Sequence, residues 1–265
     1  MTQPSLYIPH GGGPCFFMDW SPMGAADTWH GMERFLRDLL LTRDKPSAII
    51  VITAHWEAPA FTVTTTAQPS LLFDYYGFPE HTYQLQYPAR GAPQLAQQVF
   101  ELIRDAGLPA ATDGARGWDH GVFIPMMLIR PQADIPIVQL SLREGLNPDE
   151  HLRLGAALAP LRAQNVLILG SGMSYHNVRA LMRSTSHTEA QQFDDWLTPV
   201  LAAPAAARNA ALRDWQQAPS ARAAHPREEH LLPLMACAGA AGEATGTRIY
   251  SERIAGNRVS AYQFG

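Results

Sequence analysis

The sequence predicts an α/β fold, a single domain with a mainly parallel central sheet covered by helices on both faces. Three short apolar runs carry this prediction: Leu6 to Ile8, Ala48 to Ala54 and Asn165 to Leu169. Each is rich in Ile, Leu or Val, as expected for a strand that is buried on both sides. Segments with helical spacing separate the runs, and right-handed strand–helix–strand connections make such strands parallel.

The other elements follow from apolar spacing and from boundary residues, in chain order. The predicted helices are 29–41, 91–107, 148–161 and 188–217, the last with a break near Pro204. Further strands are predicted near Thr62 and at 135–141, 247–251 and 258–264, with the last two forming a hairpin. Nothing in the chain resembles a linker, so we expect one domain over 1–265.

A long irregular segment, Phe73 to Pro88, is unusually rich in Phe and Tyr. Loops of this length inside a compact domain are usually functional or disordered, and the aromatic content argues against disorder. We therefore expect this segment, called the aromatic loop below, to cover a substrate.

Composition limits the classes of partner. The chain has 265 residues, 46% of them hydrophobic, and a net charge of −4. It therefore lacks the basic surface that nucleic acid requires, and no apolar run approaches the roughly 20 residues that span a bilayer. Cys15 and Cys237 are too few for a disulfide framework. We expect a cytoplasmic monomer or small homo-oligomer that binds neither nucleic acid nor membrane.

A histidine follows each of the three buried strands. His10 precedes three glycines, His55 precedes Trp56 and Glu57, and His176 lies on a Gly-Ser-rich loop. The carboxyl ends of parallel strands meet at one edge of a sheet, where open α/β sheets bind their ligands. The three imidazoles are therefore expected to gather at one site. Imidazole suits zinc and iron.

Two further segments carry histidines. His120 follows Asp119 in a polar turn, and an N-cap role would explain Asp119 but not His120. Near the C-terminus, His225, Glu229 and His230 precede an apolar stretch and are predicted to lie on a helix that presents ligands. Because helical neighbours point about 100° apart, Glu229 and His230 cannot both face one metal from such a helix.

Other catalytic patterns are not met. Gly170-Ser171-Gly172 lacks the Gly-x-Ser-x-Gly frame of a serine hydrolase, and Gly11 to Gly13 lack the spacing of a dinucleotide or phosphate loop. The remaining candidate site residues are mostly histidines.

Six segments, in order along nearly the whole chain, resemble the class III extradiol ring-cleavage dioxygenases, in particular the DOPA-4,5-dioxygenase-like branch. They are 9–14 (PHGGGP), 53–57 (TAHWE), 77–80 (GFPE) with Tyr87-Pro88, 118–121 (WDHG), 170–172 (GSG) with His176-Asn177, and 229–234 (EHLLPL).

The resemblance implies one Fe(II), or one Zn(II) in its place, bound by His10, His55 and His230. Better-known members of the class use two histidines and a carboxylate, so Glu229 remains an alternative to His230 as the third ligand. His176 matches the acid/base histidine and could also reach the metal as a fourth ligand. His120 matches a second pocket histidine that contacts oxygen or substrate.

The activity implied is insertion of O₂ into a small catechol, with ring cleavage beside a hydroxylated carbon to a muconic semialdehyde. A DOPA-like or other side-chain-bearing catechol is expected. The predicted substrate-binding residues are Phe16 and Tyr75 as flat walls, with His225 and Arg227 as polar contacts. Arg227 and Arg116 are the arginines expected to meet a substrate carboxylate.

Two other functions remain open at this point. A zinc hydrolase would use the same histidines with Glu57 or Glu229 as a carboxylate base. A non-catalytic metal- or ligand-binding protein could share the scaffold. Oxygen uptake with catechols separates both from a dioxygenase.

Overall fold

The structure is a computed structural model that describes residues 2–181 and 187–265. The strands in this part of the chain are β1 (Ser5–Pro9), β2 (Ala48–Ala58), β3 (Phe61–Thr64), β4 (Ala110–Asp113), β5 (Ile137–Arg143), β6 (Val166–Gly172), β7 (Gly246–Ile254) and β8 (Asn257–Phe264). They form one eight-stranded sheet in the order β4-β3-β5-β2-β6-β1-β8-β7.

The centre of this sheet is parallel. Ile50 of β2 pairs with Ile168 of β6, and Leu169 pairs with Leu6 of β1. β5 adds a parallel strand on the other side of β2, whereas β8 and β7 form an antiparallel hairpin beside β1. The predicted α/β class and the three parallel neighbours are confirmed. Residues 49–52 are fully buried, and each such apolar side chain stabilises the fold by roughly 1.5–3 kcal/mol.

The helices in the described residues are α1 (His30–Asp38), α2 (Pro93–Asp105), α3 (His120–Ile129), α4 (Pro148–Arg162), α5 (Val178–Leu181), α6 (His187–Ala202), α7 (Ala205–Arg213), α8 (Ala221–Ala224) and α9 (Leu232–Ala240). The four predicted helices 29–41, 91–107, 148–161 and 188–217 are present with bounds that differ by a few residues, and the break near Pro204 is confirmed. None of these helices is both long and apolar enough to cross a membrane.

Helices cover both faces of β6, as two adjacent residues show. Gly170 faces α9 so closely that a Cβ there would lie 2.6 Å from the carbonyl oxygen of Pro233. Ser171 faces α3, where its hydroxyl donates to the carbonyl of Gly121 at 2.5 Å. Because successive strand residues point to opposite faces, α9 and α3 lie on opposite sides of the sheet.

Several features of the structure differ from the sequence prediction. The segment 225–231 forms bends and turns, and α9 begins only at Leu232, with Pro233 in its first turn. The prediction that His225, Glu229 and His230 lie on a helix is therefore wrong. β4 was not predicted, because its four residues carry little apolar signal and pair only at the sheet edge. β2 continues past His55 to Ala58.

Candidate metal centre

Three imidazoles from separate parts of the chain converge at the carboxyl edge of the sheet. His10 directly follows β1, His55 lies near the end of β2, and His230 lies in the turn before α9. The Nε2 atoms of His10 and His55 are 2.9 Å apart. One ligand atom from each of the three histidines lies within 4.8 Å of the others. The three predicted metal ligands are thus brought together.

The turn that carries His230 reaches this edge because β6 ends in a glycine. A Cβ on Gly172 would lie 2.1 Å from the carbonyl oxygen of His230. The Tyr7 hydroxyl donates to that same carbonyl at 2.7 Å, and the backbone N–H of Met173 donates to it at 3.2 Å. The main chain of His230 is therefore held against the ends of β1 and β6.

The outer nitrogens of two of these rings are hydrogen-bonded to acceptors. Nδ1 of His10 lies 3.0 Å from the Ser171 hydroxyl, which gives its own proton to Gly121 and so accepts from the ring. Nδ1 of His230 lies 2.9 Å from a carboxylate oxygen of Glu229. Both rings therefore carry the proton on Nδ1 and a lone pair on Nε2, as metal-binding histidines do.

This donor set fits a divalent metal. Burial lowers the pKa of His10, His55 and His230 well below the ordinary value, and repulsion by neighbouring histidines adds to the effect. All three are thus neutral, as ligands must be. Two nitrogens bound at about 2.1 Å at a right angle would be about 3 Å apart, close to the His10–His55 separation.

His120 is held by a carboxylate of the aromatic loop. Oδ1 of Asp74 accepts from Nδ1 of His120 at 2.8 Å and from its backbone N–H at 2.9 Å, and Oδ2 lies 3.9 Å from Nδ1 of His55. The rings of His55 and His120 are 3.8 Å apart, and Tyr75 contacts His120 edge-on at 5.7 Å. Asp74 therefore fixes His120 beside the three converging histidines.

Asp119 occupies the N-cap position of α3, but its side chain does not cap the helix. It accepts from the Thr53 hydroxyl at 2.8 Å, from the Gln139 amide at 3.1 Å and from Arg116 at 3.3 Å. Burial raises the pKa of Asp119 to about 6, and the charge of Asp74 adds to the effect. Asp119 thus stabilises the end of β2 that carries His55. At the start of α3, the backbone N–H of His120 donates to Asp74 instead of to an Asp119 cap.

His176 stacks on His230, and both rings face Glu229. The ring centroids are 3.3 Å apart, and Nδ1 of His176 lies 3.2 Å from the same Glu229 oxygen that meets His230. Burial would raise the pKa of Glu229, but hydrogen bonding from His176 and the charge of Arg227 outweigh it and hold this pKa below the usual range. The acid/base candidate therefore lies beside the candidate metal centre.

A cavity of about 540 Å³ opens beside this pair of histidines. Its lining includes His176, Asn177, Arg179, Arg227 and Glu229. The volume lies within the range of small-molecule sites.

The four predicted substrate-binding residues do not all lie at this cavity. Arg227 lines the cavity and Tyr75 lies beside His120, whereas Phe16 is partly buried against Trp29. His225 is fully buried, with Nε2 3.0 Å from the Ser174 carbonyl oxygen and its ring against Phe193. His225 is thus separated from the cavity, and we leave it out of the proposed site.

Sequence reasoning missed two residues of the site. Asp74 lies in the aromatic loop, where a carboxylate directly flanked by aromatic side chains was the available signal. Ser171 was considered only as a hydrolase nucleophile, although a hydroxyl at the end of a central strand can also orient a ligand.

Comparisons with known proteins find matches over nearly the whole chain. Residues 5–263 match the family described as the catalytic LigB subunit of aromatic ring-opening dioxygenase. The chain is 40% identical to dioxygenase tasH of Hapsidospora irregularis, over 99% of this chain and 85% of that protein. It is 36% identical to the 4,5-DOPA dioxygenase extradiol of Beta vulgaris, over 90% of this chain and 87% of that protein.

The 4,5-DOPA dioxygenase extradiol of Escherichia coli K12 is 32% identical, over 90% of this chain and 85% of that protein. Among solved structures, an uncharacterized protein from Escherichia coli K12 matches with a TM-score of 0.79 at 27% identity. The match covers 99% of this chain and 100% of that one.

Proposed function

Since the chain belongs to the class III extradiol ring-cleavage dioxygenases, the LigB family, we propose that it uses one Fe(II) to cleave a small, side-chain-bearing catechol with O₂. The observation that carries this proposal is the convergence of the neutral imidazoles of His10, His55 and His230 at the sheet edge. Zn(II) fits the same three nitrogens, but it has no redox chemistry to offer O₂.

The metal site we propose consists of Nε2 of His10, His55 and His230. A bound Fe(II) would supply the place where catechol oxygens and O₂ meet and the electrons that pass between them. Three ligands from one side leave other positions open. Glu229 is not assigned as a ligand, because its oxygen faces the Nδ1 atoms of two imidazoles.

The protein's own groups move the protons. A catechol hydroxyl loses its proton when the substrate binds, and a neutral imidazole is a suitable acceptor. We assign this step to His176, which lines the cavity and stacks on His230. The Nδ1–H of His120 donates to Asp74. Nε2 of His120 therefore carries the lone pair and can accept a hydrogen bond from the substrate.

The substrate we propose is a single-ring catechol with a polar or carboxylated side chain. Arg227 and Arg179 on the cavity wall offer positive charge to a carboxylate. Arg116 is less suited to this role, because it is held by Asp119 and the carbonyl of His55 and stacks over Trp56. Three relatives from plants are named 4,5-DOPA dioxygenase extradiol, which supports a side-chain-bearing catechol.

The test is oxygen consumption by protein loaded with Fe(II) under anaerobic conditions and then mixed with catechols of different side-chain charge. We expect stoichiometric uptake of O₂ and a yellow ring-cleaved product. The His55→Ala variant should lose both the metal and the uptake, whereas His30→Ala, which alters an exposed histidine at the start of α1, should retain them. Uptake at background level with iron bound and several catechols tried would favour a non-catalytic binding protein.

The zinc hydrolase alternative receives less support. It needs a free carboxylate as a base, and Glu57 and Glu229 were the two candidates. Both oxygens of Glu57 accept from Arg227 at 2.5 Å, while Glu229 faces two histidines. Neither carboxylate is free to activate a water molecule.

A further inference from the structure

Glu229 lies between two stacked histidines and an arginine. Its Oε1 atom is 2.9 Å from Nδ1 of His230 and 3.2 Å from Nδ1 of His176. Its Oε2 atom is buried and lies 3.6 Å from Nη1 of Arg227, too far for a hydrogen bond. One carboxylate therefore faces both the third proposed metal ligand and the proposed acid/base group.

The chemistry of this contact determines where the ring protons are. An ionised carboxylate only accepts hydrogen bonds, so each imidazole that bonds to it must carry its proton on Nδ1. A neutral ring then has its lone pair on Nε2. Without such a partner, a histidine is free to exchange the proton between its two nitrogens.

An ion pair between Arg227 and Glu57 helps to hold the carboxylate of Glu229 in place. Arg227 donates to both oxygens of Glu57 at 2.5 Å. Glu57 lies on β2 two residues beyond His55, so Arg227 links the end of that strand to the turn that carries Glu229. The positive charge of Arg227 next to Oε2 favours the ionised form of Glu229.

We propose that Glu229 is a positioning residue that sets the tautomer of two histidines at once. It keeps the proton on Nδ1 of both His230 and His176, which leaves Nε2 of His230 for the metal and Nε2 of His176 for proton transfer. The catalytic role of the His176 tautomer rests on the proposed function. The two tautomers and the affinity for a metal can be measured whether or not the protein is a dioxygenase.

The first experiment reads the tautomers in the metal-free protein from the ring nitrogens, by long-range ¹H–¹⁵N correlation spectra. In the wild type, His176 and His230 should both be Nδ1-protonated. In Glu229→Ala both should shift toward a mixture of tautomers. Glu229→Gln retains an oxygen at the Oε1 position and should restore the Nδ1–H form at least in part. The matched control is Glu228→Gln, since Glu228 bonds to Arg222 and not to a histidine.

The second experiment measures Zn(II) affinity by chelator competition, which needs no turnover. Loss of an outer partner of a metal-binding histidine typically weakens binding about 10- to 100-fold, and we expect Glu229→Ala to fall in this range with Glu228→Gln unchanged. Circular dichroism establishes whether each variant is folded. If Glu229→Ala does not fold, the zinc affinity of Glu229→Gln alone tests the proposal.

Unchanged tautomers in both Glu229 variants would overturn the proposal. So would a loss of zinc in Glu229→Gln as complete as in His230→Ala, because Glu229 would then be a ligand. Failure of the proposed function would look different, with tautomers and zinc affinity as expected but no oxygen uptake.

Discussion

The imidazole of His176 lies flat against that of His230, with ring centroids 3.3 Å apart and planes inclined by 15°. The proposed acid/base group and a proposed metal ligand are therefore in direct contact, although 54 positions separate them in the chain. His176 sits four residues beyond the end of β6, on a loop, whereas His10 and His55 lie on or next to strands. Rigid elements are better suited to fixing a coordination geometry, and a loop is better suited to moving a proton.

This contact gives a prediction for His176→Ala. The variant should keep most of its metal, since three other imidazoles remain as ligands, and should lose turnover by roughly 10²- to 10⁴-fold, the usual span for a general acid or base. Metal content by elemental analysis and turnover by oxygen uptake are the two measurements. Purification without metal would instead identify His176 as a ligand and pass proton transfer to His120.

The strands and the positions of His10 and His55 could be predicted because the signal is local. Buried parallel strands are continuous apolar runs, and the residue at the end of such a run lies at the ligand-binding edge whatever the rest of the chain does. His230 is different. Its segment was predicted to be helical, and its place in the site came from resemblance to a family.

The partners of His10 and His120 could not be predicted, because they lie in distant segments of the chain. Asp74 and His120 are 46 positions apart, and His10 and Ser171 are 161 apart. For His225, nearness in sequence to His230 led to a wrong prediction. The turn at 225–231 directs the His225 ring against Phe193 and Trp215.

Asp74 gives a second prediction, because both of its hydrogen bonds to His120 end on Oδ1. Asp74→Asn retains an oxygen at that position, so its kcat should stay within several-fold of the wild type. Asp74→Ala removes both bonds, and we expect kcat to fall about 10- to 100-fold and the free energy of unfolding to drop by about 1 kcal/mol through loss of the cap on α3.

Steady-state kinetics and urea unfolding measure the two effects. Asp113→Ala is the matched control, since Asp113 bonds to the backbone of a turn and not to a histidine. Equal losses of kcat in the Asn and Ala variants would mean that the charge of Asp74, and not its hydrogen bonds, matters.

Arg227 gives a prediction about substrate choice. Charge-assisted hydrogen bonds contribute roughly 1.5–3 kcal/mol, but Glu57 already occupies this guanidinium, so the lower end applies. Arg227→Met should raise KM about 10-fold for a carboxylated catechol and leave KM for an uncharged catechol nearly unchanged. Arg213→Met, which alters an exposed ion pair with Asp149, is the control. An equal rise in KM for both catechols would remove Arg227 from carboxylate binding.

A buried histidine outside the site gives a prediction about pH. Burial lowers the pKa of His151 to about 4, and its ring is bonded to the carbonyl of Asn147 at 2.7 Å. A folded-state pKa below the ordinary value of 6.5 means that the stabilisation is complete above pH 6.5 and is lost as the pH falls toward 4. One such group contributes about 3 kcal/mol.

The measurement is urea unfolding of the metal-free protein between pH 7 and pH 4.5. The free energy of unfolding should fall less steeply in His151→Gln than in the wild type. The raised pKa of Asp119 acts in the opposite direction, but it is common to both proteins and cancels in the comparison. His30→Gln, at an exposed position, should follow the wild type, and parallel curves for wild type and His151→Gln would contradict the assignment.

In the proposed function, three imidazoles at the sheet edge hold an iron at which O₂ cleaves a catechol ring. The most direct measurement is the origin of the oxygen atoms in the product, obtained by mass spectrometry after reaction under ¹⁸O₂ with prompt reduction of the semialdehyde to prevent exchange. We predict that both new oxygen atoms come from ¹⁸O₂ and that His55→Ala yields no labelled product. A product whose new oxygen comes instead from ¹⁸O-labelled water would contradict the dioxygenase assignment and favour a hydrolase.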